Sequence, residues 1–302
     1  MSFNQYKDKI EEGDTVILFL GVDDTLTIRI KHGKTHQTRY GAVRHADLIG
    51  KQYGSRITCI GGKGWLHVLH PTPELWTITL PHRTQIIYSI DISMITLQLD
   101  LKPGSIVCES GTGSGSLSHA IIRSIAPTGH LYTYDYHQQR CDKAREEFTD
   151  HGIGDLVTVS CRDVCKDGFD VEHIADAVFL DLPVPWDAIK SAKQAFKLQG
   201  GKICSFSPCI EQVQRSCDQL RESGFVEVTT VECIARPYDV KTICLPPYNM
   251  GYIEGSTESS DDAPTDTKPK SSLKGFTAKC GILPKETAGH TGFLTFASLY
   301  TE

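Results

Sequence analysis

The chain has 302 residues, 39% of them hydrophobic, and a formal net charge of −6. That length accommodates one large domain or a catalytic domain with a smaller appended one, with enough apolar residues for a sizeable core. No apolar run approaches the ~20 residues of a membrane-spanning helix, and the acidic balance argues against a protein that grips nucleic acid alone through a uniformly basic surface.

The first apolar run, residues 16–20, is short and follows acids, so it does not read as a secretory leader. The eleven cysteines are an odd number and form no CxxC pair. Several, such as Cys108, Cys161 and Cys204, sit in apolar runs, and no His cluster accompanies them at ligand spacing. They read as small, reduced core residues of a cytosolic or nuclear protein with no metal site.

In chain order, residues 14–20, 26–31, 38–43, 56–60, 65–69 and 75–80 are β-rich runs, punctuated by Gly21, Gly33, Gly50, Gly54, Gly61, Gly62 and Pro71. They predict a small all-β domain, barrel-like or a sandwich, over residues 1–80. Ile86, Ile87, Ile90, Met94, Ile95 and Leu97 fall near helical spacing and predict a helix over 84–100. Strand-like runs then alternate with helical ones: strands at 105–108, 130–134, 156–161, 175–180 and 202–206, helices at 117–125, 138–150, 186–196 and 211–222. This predicts an α/β fold, a Rossmann-like doubly wound sheet over residues 81–302. Strands at 226–231, 240–245 and 292–299 follow with no helix between them, which predicts an antiparallel edge. Residues 251–279, rich in Ser, Thr, Asp, Lys and Pro, read as a disordered insertion. Its Lys268-Pro269-Lys270 reads as a solvated charge run.

Glu109-Ser110-Gly111-Thr112-Gly113-Ser114-Gly115-Ser116 follows a predicted strand and opens a predicted helix. Glycines let backbone approach a ligand closely, and a helix N-terminus offers free N–H groups to an anion. The dinucleotide pattern GxGxxG fails, since Ser116 stands where its third glycine belongs, and the phosphate loop GxxxxGK[ST] is absent. The acid followed by GxGxG resembles the first motif of class I methyltransferases. Asp135, about 20 residues on, stands where an acid meets ribose hydroxyls in doubly wound folds, though a surface acid is the alternative. Asp163 is open between a cofactor contact and a helix cap.

Residues 175–186 hold a buried strand ending in an acid: Asp181-Leu182-Pro183-Val184-Pro185-Trp186. Ligands of open α/β sheets lie at the carboxyl ends of strands, where Asp181 is placed, and the prolines restrict its loop. Trp186 reads as core.

With His70-Pro71-Thr72-Pro73-Glu74-Leu75-Trp76, Leu80-Pro81-His82-Arg83-Thr84-Gln85-Ile86, Ser205-Phe206-Ser207-Pro208-Cys209-Ile210-Glu211-Gln212 and His290-Thr291-Gly292, these runs resemble the family of catalytic subunits of tRNA adenine-N1 methyltransferase over nearly the whole chain. The resemblance implies methyl transfer from S-adenosylmethionine to adenine 58 of the tRNA T-loop. It implies cofactor contacts from Gln85, Ser110, Gly111, Thr112, Gly113, Ser114, Gly115, Ser116, Asp135, Arg140, Asp163, Val164 and Asp181. Asp181 would be the active-site acid, and Tyr88 a further candidate in the adenine pocket. Gly21, Val22, Asp23, Arg39, Pro183, Ser205, Phe206, Ser207, Pro208, Cys209, Glu211, Gln212 and Thr291 would face RNA. One departure is Asp135, where the family carries a longer Glu. The resemblance also implies a nuclear location, a cytoplasmic share being open, and a heterotetramer with a related non-catalytic subunit, two of each.

Residues 25–46 contain no acid but include Arg29, Lys31, Lys34, Arg39 and Arg44, a candidate phosphate-contacting patch or an ordinary solvated face. Two other readings compete. One keeps the cofactor with a protein or small-molecule acceptor. The other is a non-catalytic RNA-binding subunit, which the retained glycines and Asp181 disfavour.

Overall fold

The computed structural model describes residues 3, 5–22, 24–62, 64–80, 84–245, 276–286 and 289–300. Two compact units divide them: Met1–Cys233 with His290–Glu302, and Ile234–Gly289.

The first unit begins with a small β module. β1 (Thr15–Gly21) pairs antiparallel with β2 (Asp24–Arg29), β3 (Thr35–Thr38) with β4 (Gly41–Arg44), and β5 (Arg56–Thr58) with β6 (Trp65–Leu69). The larger sheet runs β2-β1-β6-β5. Alternate strand residues point to opposite faces, so Val16, Leu18, Leu20, Ile28, Leu66 and Val68 share one small core. Residues 38–43, expected as one strand, instead turn the chain between β3 and β4. Thr38 Oγ1 donates to Gly41 O at 2.8 Å, and Gly41 has φ +120° where a Cβ would lie 2.7 Å from Ile60 O.

Residues 75–80, expected as a strand, are helical: α1 is Pro73–Thr79. Thr72 Oγ1 caps it by accepting from Leu75 N at 3.3 Å, and Pro73 stands in its first turn, where a missing N–H costs nothing. Thr77 and Thr79 donate back to Pro73 O (2.8 Å) and Leu75 O (2.7 Å), so these β-branched residues fit the helix by bonding to its carbonyls. Trp76 and Leu80 enter the main core and not the small one. The helix expected over 84–100 is shorter, α2 (Ser89–Gln98); residues 84–88 ahead of it have no regular structure.

The main sheet then forms: β7 (Ile106–Ser110), α3 (Ser116–Ile125), β8 (His130–Asp135), α4 (Gln138–Asp150), β9 (Val157–Cys161), α5 (Val164–Asp167), β10 (Ala177–Asp181), α6 (Pro185–Ala195), β11 (Gly200–Ser207), α7 (Ile210–Glu222) and β12 (Val226–Glu232). After the second unit's β13 (Asp239–Leu245) and β14 (Phe276–Ile282), the chain returns as β15 (Phe293–Tyr300). Strand order is β12-β15-β11-β10-β7-β8-β9. The strands β11, β10, β7, β8 and β9 are parallel, while β15 runs antiparallel to both β11 and β12. Each central strand feeds both faces: Val107 and Phe179 join α2, α3 and α4 in one core, while Cys108, Val178 and Leu180 join α6 and α7 in the other. The chain leaves β7 toward β8 on one side and later places β10 on the other, so the switch point lies beyond the carboxyl ends of β7 and β10.

Residues 240–245, expected at the antiparallel edge, lie in β13, which pairs with β14 from Asp239↔Ile282 to Leu245↔Phe276. Phe276 to Lys279, expected within the disordered insertion, belong to β14; residues 251–275 of that expectation lie outside the described residues. Cys108 and Cys204 are buried as expected, but Cys161 is exposed at the end of β9. Among the described residues no helix is long and apolar enough to cross a membrane, and no group of His, Cys, Asp or Glu is arranged to hold a metal.

Candidate active site

The glycine turn is built from the sheet outward. Gly111 N and Thr112 N both donate to Tyr134 O, at 2.8 and 3.2 Å, which ties the turn to the neighbouring strand β8. Thr112 Oγ1 lies 2.6 Å from Thr133 Oγ1, and Gly115 N donates to Thr112 O at 2.9 Å. Gly111, Gly113 and Gly115 have φ of +102°, +53° and +76°, values that L side chains rarely adopt. Space forbids a side chain at Gly111 as well, since a Cβ there would sit 2.5 Å from Asp181 O.

A cleft opens over this turn with about 500 Å3 of open space, lined by Thr84, Gln85, Ile86, Ile87, Glu109, residues 111–117, Asp135, Arg140, Phe179 and Asp181. Asp135 Oδ2 accepts from Gly113 N at 3.2 Å and its Oδ1 from His137 N at 3.0 Å; Arg140 lies 3.7 Å from Oδ1. A carboxylate offers about four acceptor positions, so Asp135 fixes the turn and retains capacity for ligand hydroxyls.

Glu109 was not singled out from sequence as a site residue, although it stands two residues before the first glycine. It is fully buried, and its Oε2 accepts from Ser118 Oγ at 2.6 Å and Thr133 Oγ1 at 2.7 Å. Burial raises its pKa to about 7 against the opposing effect of those hydroxyls. Thr84, also missed, meets the turn through its hydroxyl, 3.3 Å from Ser114 Oγ.

Asp181 ends β10 directly across from Gly111, and burial alone raises its pKa to about 6. Its loop is braced by Gln212, whose Nε2 donates to Pro183 O at 2.9 Å while its Oε1 accepts from Cys209 N at 3.3 Å. The loop after β10 and the start of α7 therefore form one rim, with Pro183, Pro208, Cys209 and Glu211 exposed on it.

Other expected residues are placed differently. Ser110 is buried at the end of β7; Asp163 caps α5 by accepting from Cys165 N at 3.1 Å; Val164 is buried in the core. Tyr88 precedes α2 and packs against the main core. None of these four lines the cleft. Ser205, Phe206 and Ser207 are buried within the sheet and cannot present side chains to a large ligand. Thr291 donates to the buried Asp91 Oδ2 at 2.5 Å. Val22 is exposed at the β1–β2 turn, Arg39 packs beside Gly21, and Asp23 lies outside the described residues. Trp186 is partly buried against the α6 and α7 core, with Arg215 over its ring at 5.1 Å.

The basic stretch is largely spent on pairs. Arg29 binds Asp150, Arg39 binds Asp24 at 2.9 Å, and Arg44 binds Asp47 at 3.0 Å. Lys31 and Lys34 are exposed and pair with no acid among the described residues.

S-adenosylmethionine fits this donor set. The α3 N-terminus suits its carboxylate, Asp135 its ribose hydroxyls, and the close-approach glycines its chain. A larger cavity, with about 870 Å3 of open space, lies between α1, α2 and α3, where Glu74 and Arg123 pair at 2.5 Å. It has neither the glycines nor the strand-end acid.

The profile of the family described as "tRNA methyltransferase complex GCD14 subunit" matches residues 64–299. The chain is 43% identical over 300 residues to the tRNA (adenine(58)-N(1))-methyltransferase catalytic subunit of Dictyostelium discoideum, covering 95% of this chain and 96% of that protein. It is 44% identical over 245 residues to the Candida albicans protein of the same name, covering 80% and 73%. Among solved structures it resembles a SAM-dependent O-methyltransferase from Thermotoga maritima, with TM-score 0.77, 25% identity and coverage of 98% and 96%. The tRNA (m1A58) methyltransferase of Aquifex aeolicus shares the fold, with TM-score 0.69, 21% identity and coverage of 96% and 98%. The acid-preceded glycine turn, the strand-end Asp181 and these relationships agree, and the chain belongs to the family of tRNA methyltransferase complex GCD14 subunits.

Proposed function

We propose that this chain is a catalytic subunit that transfers a methyl group from S-adenosylmethionine to N1 of adenine 58 in tRNA. The observation that carries this reading is Asp181 beside Gly111, both lining the cleft, in a chain related over 95% of its length to an enzyme of that name.

The cofactor supplies an electrophilic methyl carbon on a sulfonium. Adenine N1 would gain that methyl as the carbon–sulfur bond gave up its electrons to sulfur, so the site must accommodate a base that becomes cationic. The base must first leave its stack, at a cost of a few kcal/mol. No residue need bond covalently to the base, so the protein's work is orientation and charge stabilisation. Asp181 accepts a hydrogen bond from the exocyclic amino group and stabilises the positive charge that N1 acquires. Glu109 and Asp135 hold the turn, and Pro183 with Gln212 shapes the entrance on the RNA side.

The acidic balance and the internally paired arginines support shared RNA binding: a related non-catalytic subunit completes the RNA face in a heterotetramer of two chains of each kind. The test incubates the full chain with unmodified tRNA and labelled cofactor, with and without that companion, and maps the modified base. N1-methyladenine at position 58 is the expected product. Label in protein or on an oxygen acceptor, with tRNA left unmodified, rejects the reading.

A further inference from the structure

Beneath the glycine turn lie two buried histidines that the chemistry above does not use. His119 stands one turn into α3, and its Nδ1 lies 2.6 Å from Gly115 O. Its Nε2 lies 2.9 Å from Nδ1 of His151, at the end of α4. A carbonyl only accepts, so Nδ1 of His119 carries the proton; its Nε2 in the neutral ring is then an acceptor, and Nδ1 of His151 donates to it. Both rings are buried, packed by Phe3, Trp76 and Phe148 at centroid distances of 4.4 to 5.4 Å. Burial pushes the pKa of His151 down to about 2, so it stays neutral throughout the working range. The backbone at His151 is itself held, its carbonyl accepting from Phe3 N at 3.0 Å.

Gly115 is the left-handed residue that ends the glycine turn and caps α3. Its carbonyl and the Ser116 N–H belong to one planar peptide unit and point in opposite directions. A second donor on that carbonyl, besides His119 N at 3.2 Å, therefore aims the Ser116 N–H out of the helix N-terminus, on the side where Gly115 and Ser116 line the cleft. Gly115 holds this arrangement with φ +76°, a conformation L side chains rarely adopt, and both Phe148 and His119 Nδ1 pack within van der Waals contact of the place a Cβ would take.

We propose that the His119–His151 pair is a positioning device for the cofactor: His151 fixes the tautomer of His119, and His119 fixes the peptide that presents the Ser116 amide to the cofactor's carboxylate. The proposal rests on reading the cleft as the S-adenosylmethionine site. His119 and His151 touch neither cofactor nor base, so their effect falls on cofactor affinity rather than on the methyl-transfer step.

The test measures binding of S-adenosylhomocysteine by calorimetry, together with kcat and KM, for the full chain with its companion subunit. His119→Phe keeps the ring volume and loses the donor; it weakens binding about tenfold, as for a lost hydrogen bond of ordinary strength, and leaves kcat at saturating cofactor within about twofold. In His119→Asn the amide N–H stands near the place of Nδ1, and affinity recovers most of the loss. Wild-type affinity in His119→Phe, or equal loss in both variants, overturns the proposal while leaving the site reading intact. Absence of binding by the wild type overturns the site reading instead. Should the variants fail to fold, nitrogen NMR of the wild-type imidazoles decides: His119 protonated at Nδ1 and bare at Nε2 supports the device, and the opposite tautomer rejects it.

Discussion

The glycine turn and the rim proposed to face RNA lie close together, but they are built differently. In the turn, the backbone of Gly111, Thr112, Gly113 and Gly115 has partners on β8, Asp135 or the turn itself, and the three glycines share left-handed φ. The rim consists of exposed Pro183, Pro208, Cys209 and Glu211, braced chiefly through Gln212. The arginines of the basic stretch are occupied with Asp150, Asp24 and Asp47. The contrast teaches that the cofactor half of the site is finished within this chain. The RNA half offers shape but little unspent positive charge, and counter-ion release from phosphates needs such charge.

The largest break in that comparison comes at Asp181, which the proposed mechanism places between the two halves. Asp181→Ala lowers kcat by about a thousandfold, the cost of a lost charge-stabilising group, while cofactor affinity by calorimetry changes far less. Retained activity would remove Asp181 from the chemistry.

Next comes the turn. Gly111→Ala combines a left-handed φ with a Cβ placed 2.5 Å from Asp181 O. It destabilises the fold by about 1–3 kcal/mol and weakens cofactor binding, read by thermal melting and calorimetry. The same Ala substitution at Pro183 on the rim leaves melting within about 0.5 kcal/mol, as for an ordinary surface site.

The elevated pKa of Asp181, about 6 through burial, sharpens the comparison by pH. The free enzyme gains its carboxylate as pH rises, so kcat/KM rises through about pH 6 and then levels. Stability has the opposite sign: a folded-state pKa above the unfolded carboxylate value of roughly 4 means stability is lost as pH rises between the two. Asp181→Asn therefore melts higher than wild type at pH 8 and alike at pH 4. Equal melting at both pH values would show that the carboxylate is not strained by burial.

The smallest effects belong to the basic stretch. Removing Lys31 or Lys34, exposed and paired with no acid among the described residues, reduces the salt slope of RNA binding by about one each. Arg29→Ala, whose charge Asp150 already holds, changes that slope little. A large effect from Arg29 and none from the lysines would invert this account of the RNA face.

Much of the architecture was legible because its causes are local. Alternation of apolar strands with amphipathic helices specified the doubly wound sheet. The glycines and the acids Asp135 and Asp181 stand at strand ends because the fold presents ligands there. The errors came where local preference and tertiary context conflict. Leu75, Thr77, Ile78 and Thr79 favour strand, yet a Thr72 cap, Pro73 and burial of Trp76 make them helical. Residues 240–245 have the pattern of a sheet strand, yet their partner is β14, on the far side of residues 246–275.

The sequence by itself determined the fold class, the glycine turn and the strand-end acid, since periodicity and backbone conformation are written in adjacent residues. Only the tertiary structure decided what each charge or hydroxyl spends itself on. Arg29 reads as a candidate phosphate contact until Asp150 meets it, Thr291 reads as RNA-facing until its hydroxyl donates to Asp91, and His119 meets His151 only because the fold brings the end of α4 to the first turn of α3. Such pairings depend on contacts between residues far apart in the chain, and no local pattern encodes distance across the fold.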